Sequence, residues 1–436
     1  MTKLIGGTIS DTPIKNIGDG SAFSAGGGGA DLVTIGSFGT DAVITGWHGT
    51  DGLHSLGGGP TPSMLSVFRF ADNDYGAIWR SYSDNEVKYG HITFDGSGNP
   101  TFGTMQDLSG TFNASTDTPV MARGVSSTRC VVLNPVNTSA RRFEICAMDQ
   151  SSDTIVVHGS VQSYTLPTDS QIYCRRSIGL AVYDADTIVF SVDGIASGYL
   201  HIVPVKITNT KAIGTPVSMA VVAPEFPCKF YADPNYGSNP IYAMQNHLYE
   251  LTVTPGATPS VALTTDHGAD NLGICAVNGD TNPTQNVIQV PSADQNEYGE
   301  MFANNSGKLY YWSGETDDKN ILVANFTDQH DASSSVPYLT RGASLRVVYI
   351  DKVGTVHRLI AVGNGDNGGI VVQPFNFDTS DYSTRIGVAV EDTQISPAGD
   401  DYMWDVIRPT SSSTRITIVT QDAATTVSYV YFDITV

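Results

Sequence analysis

Seven short segments of this chain resemble one another: Glu86–Phe94, Arg142–Met148, Tyr199–Ile207, His247–Val253, Asn320–Phe326, Gly369–Phe377 and Thr426–Phe432. Each is an apolar or alternating run that ends in a turn. Most follow another β-rich run across a gap of Gly, Asn, Asp or Ser. A strand-only unit repeated at roughly 40–60 residues predicts propeller blades. The expected fold is all-β, a seven-bladed β-propeller with four-stranded antiparallel blades.

The third unit shows the pattern best. Ile178–Tyr183, Thr187–Val192, Tyr199–Thr208 and Ala212–Met219 read as four strands separated by Asp, Asn and Gly turns. Strands of about six residues joined by tight turns suit an antiparallel blade. A blade is packed on both faces, so unbroken apolar runs such as Thr187–Val192 replace clean alternation. The first and second units follow the same course. Ser126-Ser-Thr-Arg129 recurs as Ser412-Ser-Thr-Arg415, each time opening the second strand of its unit.

The last unit offers only three strands, Tyr402–Ile407, Arg415–Thr420 and Thr426–Thr435. An unpaired blade edge would expose a row of backbone donors and acceptors. The β-runs Leu32–Ile35 and Ala42–Trp47 are the expected N-terminal strands that complete it. Residues 1–29, ending in Gly26–Gly29, read as an extended arm with a glycine hinge. Residues 30–436 then form a single propeller domain. The stretch 264–300 reads as an insertion between blades four and five, either functional or a plain extra hairpin.

Only 15% of the residues are charged, and the net charge is −21. Such a surface repels phosphate backbones, so no nucleic-acid partner is expected. No run is apolar and long enough to span a membrane, and Met1–Gly6 lacks the start of a secretory leader. The five cysteines, Cys130, Cys146, Cys174, Cys228 and Cys275, stand at no metal-ligand spacing and read as free thiols.

The chain holds no nucleophile elbow, phosphate loop or His-Glu-x-x-His helix. No catalytic, cofactor-binding or metal residue is assigned, and no cofactor is expected. His91, His201 and His247 fall in or beside third strands, where they read as blade-surface groups. Asp266, His267 and Asp270 could ligate a cation but read as a polar turn. Asp95-x-Ser97-x-Asn99 also reads as a turn, because it lacks the closing Glu of a calcium loop. Asp74-x-Gly76-x-x-Trp79 resembles the Asp-box of sialidase-type propellers, a hairpin motif without catalytic duty. Tyr75, Trp79, Tyr236, Tyr298, Tyr382 and Tyr402 lie near turns, where aromatics either pack strand ends or stack on sugar rings.

Two stretches carry a resemblance to a family. Ser126–Met148 and Leu200–Val217, the latter with Asn209-x-Lys211-x-Ile213-Gly-Thr215 closing an outer hairpin, are similar in style to repeats in β-propeller virion proteins of tailed bacteriophages. The likeness runs from about residue 60 to the end and rests on style and composition. It implies a rigid disc in the tail or host-facing apparatus, placed in the virion after assembly in the host cytoplasm. Its partners would be other virion subunits, docked through the N-terminal arm in a symmetric multi-copy assembly, and a host surface glycan or receptor. The alternative is a stand-alone carbohydrate-binding propeller; a glycosidase ranks below it.

Overall fold

The computed structural model describes residues 31–48, 65–80, 86–114, 120–137, 142–165, 180–194, 199–208, 213–220, 229–232, 241–244, 248–266, 287–290, 299–303, 308–313, 321–325, 339–365, 369–378, 380, 383–392, 404–421 and 426–436. The regular structure among them is β-strand, arranged in seven antiparallel sheets. β1 (Thr34–Phe38) and β2 (Ala42–His48) come first in the chain but join the last sheet. The first sheet orders β3 (Leu65–Ala71), β4 (Asp74–Arg80), β5 (Val87–Phe94) and β6 (Pro100–Phe102), with β7 (Gln106–Asp107) also beside β5. The second orders β8 (Met121–Ser126), β9 (Arg129–Asn137), β10 (Arg142–Ser151) and β11 (Thr154–Val157), with β12 (Gln162–Thr165) also beside β10. The third runs β13 (Leu180–Val182), β14 (Thr187–Gly194), β15 (Tyr199–Lys206) and β16 (Val217–Ala220). The fourth runs β17 (Lys229–Ala232), β18 (Ile241–Met244), β19 (Leu248–Thr254) and β20 (Ser260–Asp266). The fifth runs β21 (Val287–Val290), β22 (Gly299–Ala303), β23 (Lys308–Ser313) and β24 (Ile321–Asn325). The sixth runs β25 (Leu339–Val353), β26 (Val356–Gly365), β27 (Ile370–Asp378) and β28 (Ser383–Ile386), with β29 (Val390–Asp392) also beside β27. In the seventh, β30 (Trp404–Ile407) and β31 (Arg415–Gln421) lead to β32 (Thr426–Thr435), along whose far edge β1 and β2 both pair. Among the described residues, no sheet closes on itself into a barrel.

The cores lie between sheets. On β5, Val87 and Tyr89 join a cluster with Cys130, Val132, Cys146 and Met148 of the second sheet. Ile92 and Phe94, near the end of the same strand, join Ile407, Val419 and Val427 of the seventh. Alternate side chains of one strand thus enter different cores, which explains the nearly continuous apolar runs. Phe143, Ile145 and Ala147 pack on Ile188, Phe190 and Val203 of the third sheet. Ile360, Val362 and Val372 of the sixth pack on Trp404, Ile416 and Val430 of the seventh. The first strands touch in sequence: β3 meets β8, β8 meets β13, β13 meets β17, β17 meets β21, β21 meets β25, β25 meets β30, and β30 meets β3.

The N-terminal strands seal the edge of β32 as the sequence implies. Thr34, Ile35 and Phe38 pair with Thr435, Ile434 and Phe432, while Ala42 and Val43 pair with Tyr429 and Ser428. β2 does more than pair. Its Trp47, 1% exposed, sits in the core shared by the seventh and first sheets. The indole stacks on Trp79 at 5.0 Å between centroids, and its Nε1 donates to the Gly103 carbonyl at 2.9 Å. A Cβ at Gly90 would lie 2.0 Å from the Trp47 ring, so glycine at the middle of β5 is what lets the indole reach the backbone.

The structure corrects one assignment of the repeat. Six of the seven similar segments are third strands, but Asn320–Phe326 covers β24, the fourth strand of its sheet. The third strand there is Lys308–Ser313, whose Tyr-Tyr-Trp centre differs from the aliphatic runs elsewhere. That slip left the opening strands of the fifth sheet without a place in the repeat. Val287–Val290, read as part of an insertion, is the first strand of that sheet, and Gly299–Glu300 begins the second. The arm 1–29, the run 272–277, His247, His267 and Asp270 lie outside the described residues.

Candidate functional site

Three turns lie at one end of the first and second sheets, and those after β3 and β5 also touch the seventh. Asn73 at φ 61° turns β3 into β4, and Ser152 at φ 54° turns β10 into β11. Asp95 ties the turn after β5 by accepting from the Ser97 and Asn99 amides at 2.8 and 2.9 Å and from Asn99 Nδ2 at 2.8 Å. It is therefore a turn residue, as the sequence implies.

Four polar side chains meet between these turns. His91 and Gln150 follow Tyr89 and Met148 at strand parity, so they face each other where the first and second sheets meet. His91 Nδ1 lies 3.1 Å from Asp153 Oδ1, and its Nε2 lies 2.8 Å from Asp74 Oδ1. Gln150 Nε2 stands 2.8 Å from His91 Nε2 and 3.0 Å from Asp74 Oδ1. Gly103 closes the side, where an added Cβ would come 3.1 Å from Asp153 and 3.2 Å from His91. Exposure grades from the His91 side chain at 7%, through Asp74 at 29%, to Asp153 at 63%.

No single protonation state satisfies all of these contacts. If His91 Nε2 is unprotonated, it accepts from Gln150 but turns a lone pair toward Asp74. If Nε2 carries a proton, Asp74 accepts it but the Gln150 amide nitrogen faces another donor. Turning the Gln150 amide over only sets its oxygen against the Asp74 carboxylate.

The opposite end of the same interface is fully matched. Buried Glu144 accepts from Asn113 N and Asn134 Nδ2, both at 2.9 Å, from Arg142 Nη2 at 3.3 Å, and from Asn113 Nδ2. Arg80, 1% exposed, donates to Asn134 Oδ1 and to Pro135 O. Burial pushes the Arg80 guanidinium down to about 10, against the pull of Glu144. Each Glu144 oxygen is engaged by two donors, which marks this end as structural.

The repeated Ser-Ser-Thr-Arg also has a structural reading. Arg129 Nε donates to Asp149 at 2.6 Å, and Arg415 Nε donates to Asp433 at 2.8 Å, each pair directly opposite in register. Both copies pin the start of a second strand to the end of a third.

His357, near the start of β26, titrates differently from an ordinary histidine. Burial, reinforced by Lys352 and opposed by Asp378, lowers it from 6.5 to about 4. A depressed imidazole stays neutral in the folded chain while the unfolded chain takes up a proton. Stability is therefore expected to fall as pH drops from about 6.5 to about 4, by about 3 kcal/mol at this one group. Chemical denaturation across that window checks it: His357→Gln should show a shallower slope, and an identical slope would contradict the assignment.

The remaining sequence expectations divide. Cys130 and Cys146 are buried and form no disulfide. His91 and His201 are buried, at 6% and 4% exposure, rather than surface groups. Tyr75 and Trp79 are strand packing: Tyr75 Oη donates to Arg408 O at 2.9 Å, and Trp79 is buried. Tyr236, Tyr298, Tyr382 and Tyr402 lie outside the described residues. Gln150 and Asp153 went unnoticed; the available signal was a polar residue at a core parity and an Asp just beyond the strand end. Among the described residues, no group of three or more His, Cys, Asp or Glu could hold a metal ion, and no helix is long and apolar enough to cross a membrane.

No family model matches this chain, and no curated protein matches it. Solved structures resemble it loosely. SapL1 lectin in complex with alpha methyl fucoside shows TM-score 0.41 at 12% identity, over 76% of this chain and 96% of that one. A mutant of AofleA from Arthrobotrys oligospora shows TM-score 0.44 at 9% identity, over 81% of this chain and 92% of that one. A hypothetical selenium-binding protein from Sulfolobus tokodaii shows TM-score 0.46 at 10% identity, over 86% of this chain and 96% of that one. At TM-scores below 0.5 none of these carries an argument about function.

Proposed function

We propose that this chain is a seven-bladed β-propeller that binds carbohydrate without turning it over. The cyclic order of contacts among first strands, from β3 round to β30 and back, supports the ring. So does the packing of the seventh sheet against both the sixth and the first. The observation that carries the binding role is the mismatched Asp74–His91–Gln150–Asp153 cluster at the open end of one groove. Sugar hydroxyls donate and accept at once, so a vicinal pair can relieve the Gln150 conflict and also reach exposed Asp153. Recognition is favoured over hydrolysis because a glycosidase needs two carboxyl groups facing each other across the scissile bond. Here the His91 ring lies between the two carboxylates and bonds to both.

The virion-subunit reading draws no support from the comparisons, and the arm to which it assigns docking is outside the described residues. Glycan-array binding by the full chain tests the proposal. Binding should be found, and Gln150→Ala and Asp153→Ala should each weaken it about tenfold, the worth of one or two lost hydrogen bonds. Absence of binding to any glycan, or binding indifferent to both substitutions, would overturn it.

A further inference from the structure

His91 is the pivot of the cluster proposed to hold sugar. Its ring lies between two carboxylates, Nδ1 3.1 Å from Asp153 Oδ1 and Nε2 2.8 Å from Asp74 Oδ1. Among the described residues, neither carboxylate pairs with a Lys or Arg. Tyr89, two residues before His91 on the same face of β5, is a further titratable neighbour. Burial, with smaller help from Cys130, Asp74 and Asp153, pushes its hydroxyl up, so it stays neutral wherever histidine titrates. Gln150 of β10 and Gly103 also border the ring and bring no charge.

The two charge states of the ring place different demands on Gln150. With a single proton on Nδ1, the ring donates to Asp153, and Nε2 accepts from Gln150 Nε2 at 2.8 Å. The second amide hydrogen of Gln150 reaches Asp74, whose oxygens lie 3.0 and 3.2 Å away. Both amide hydrogens are then occupied inside the cluster. This state leaves one unfavourable approach, the Nε2 lone pair toward Asp74. A second proton removes it, because the imidazolium donates to both carboxylates at once. The same proton makes Nε2 a donor that faces the Gln150 nitrogen, so the amide has to leave. Gln150 is half-buried and precedes the exposed residues Ser151–Asp153, so its side chain has solvent to swing into.

We infer that His91 and Gln150 form a proton-operated switch: protonation ties the ring to both carboxylates and releases the Gln150 amide to bind sugar hydroxyls. The inference rests on the carbohydrate-binding reading for its ligand, whereas the switch itself belongs to the free chain. The bistable element is one side-chain amide, and the proton on its neighbour biases it. Sugar should therefore bind more tightly on the acid side of the range in which histidine changes charge.

NMR of the full chain, with isotope-labelled histidine rings and glutamine side chains, reads the switch without sugar from about pH 8 to about pH 5. The Gln150 amide signals should move with the same midpoint as the His91 ring, and both ring nitrogens should carry protons at the acid end. In His91→Gln the Gln150 signals should stay fixed. Should that variant fail to fold, the parent chain still decides: Gln150 signals that ignore the His91 titration, or a ring that holds one proton throughout, would overturn the inference. The best ligand from a glycan array should bind the parent about fivefold tighter at the acid end, the worth of about one hydrogen bond. Failure to bind any glycan at either pH, beside a coupled titration, would support the switch and overturn the carbohydrate reading. A coupled titration with sugar affinity independent of pH would leave that reading intact and overturn the regulation inferred here.

Discussion

Replacing Trp47 with alanine is expected to lower stability by about 3–5 kcal/mol, the usual cost of emptying a large buried aromatic site. The loss should exceed that of an ordinary core truncation in kind as well as in size. Trp47 sits on β2, paired to the last strand of the chain, yet its ring packs on Trp79 and Phe102 of the first sheet. It joins the two ends of the fold through one core. Its removal also strips the carbonyl of Gly103, the neighbour of His91, of its 2.9 Å hydrogen bond from the indole. Urea unfolding measures the effect, with Val43→Ala as control, because Val43 on the same strand is 56% exposed and should cost less than about 0.5 kcal/mol. A Trp47→Ala loss below about 1 kcal/mol would show that the contact between the seventh and first sheets does not hold the fold together.

Glu144→Ala should be comparably severe, at about 3–5 kcal/mol. Glu144 is 2% exposed and its carboxylate accepts four hydrogen bonds, so alanine leaves Asn113 and Asn134 donors unmatched. It also withdraws a carboxylate that offsets the buried charge of Arg80. Adding Arg80→Met to Glu144→Ala removes the stranded cation and should recover a substantial part of the loss. A double variant as unstable as the sum of the two singles would mean that Arg80 and Glu144 do not act together.

These two residues also show what the sequence could and could not reveal. Strand positions were legible because each unit repeats a short apolar run bounded by Gly, Asn and Asp. Twofold alternation blurred because each strand is buried on two faces, as Ile92 and Tyr89 on β5 show by entering different cores. The fifth unit slipped because aliphatic Ile321–Asn325 looks more like the other third strands than aromatic Lys308–Ser313 does. The place of the N-terminal strands followed from elementary strand pairing, since β32 needed a neighbour. The identity of Trp47 as the link to the first sheet did not, because no local signal tells which face of β2 meets which core.

The groove was not legible for a different reason. Its partners are far apart in the chain: 62 residues separate His91 from Asp153, and 76 separate Asp74 from Gln150. Only the stacking of the second sheet on the first brings them together. Asp74 stood out in the sequence for a hairpin motif, and His91 for its strand position. Neither hint pointed to the other, or to the mismatch with Gln150 that makes the cluster a binding candidate.

Hydrogen exchange of the full chain, with and without the glycan it binds best, tests the central claim most directly. The account predicts that bound sugar slows amide exchange in Phe102–Thr104 and Gln150–Asp153, on the two walls of the groove, and that these changes vanish in Gln150→Ala. Slowing confined to other segments of the chain, or slowing at the groove that survives Gln150→Ala, would contradict it.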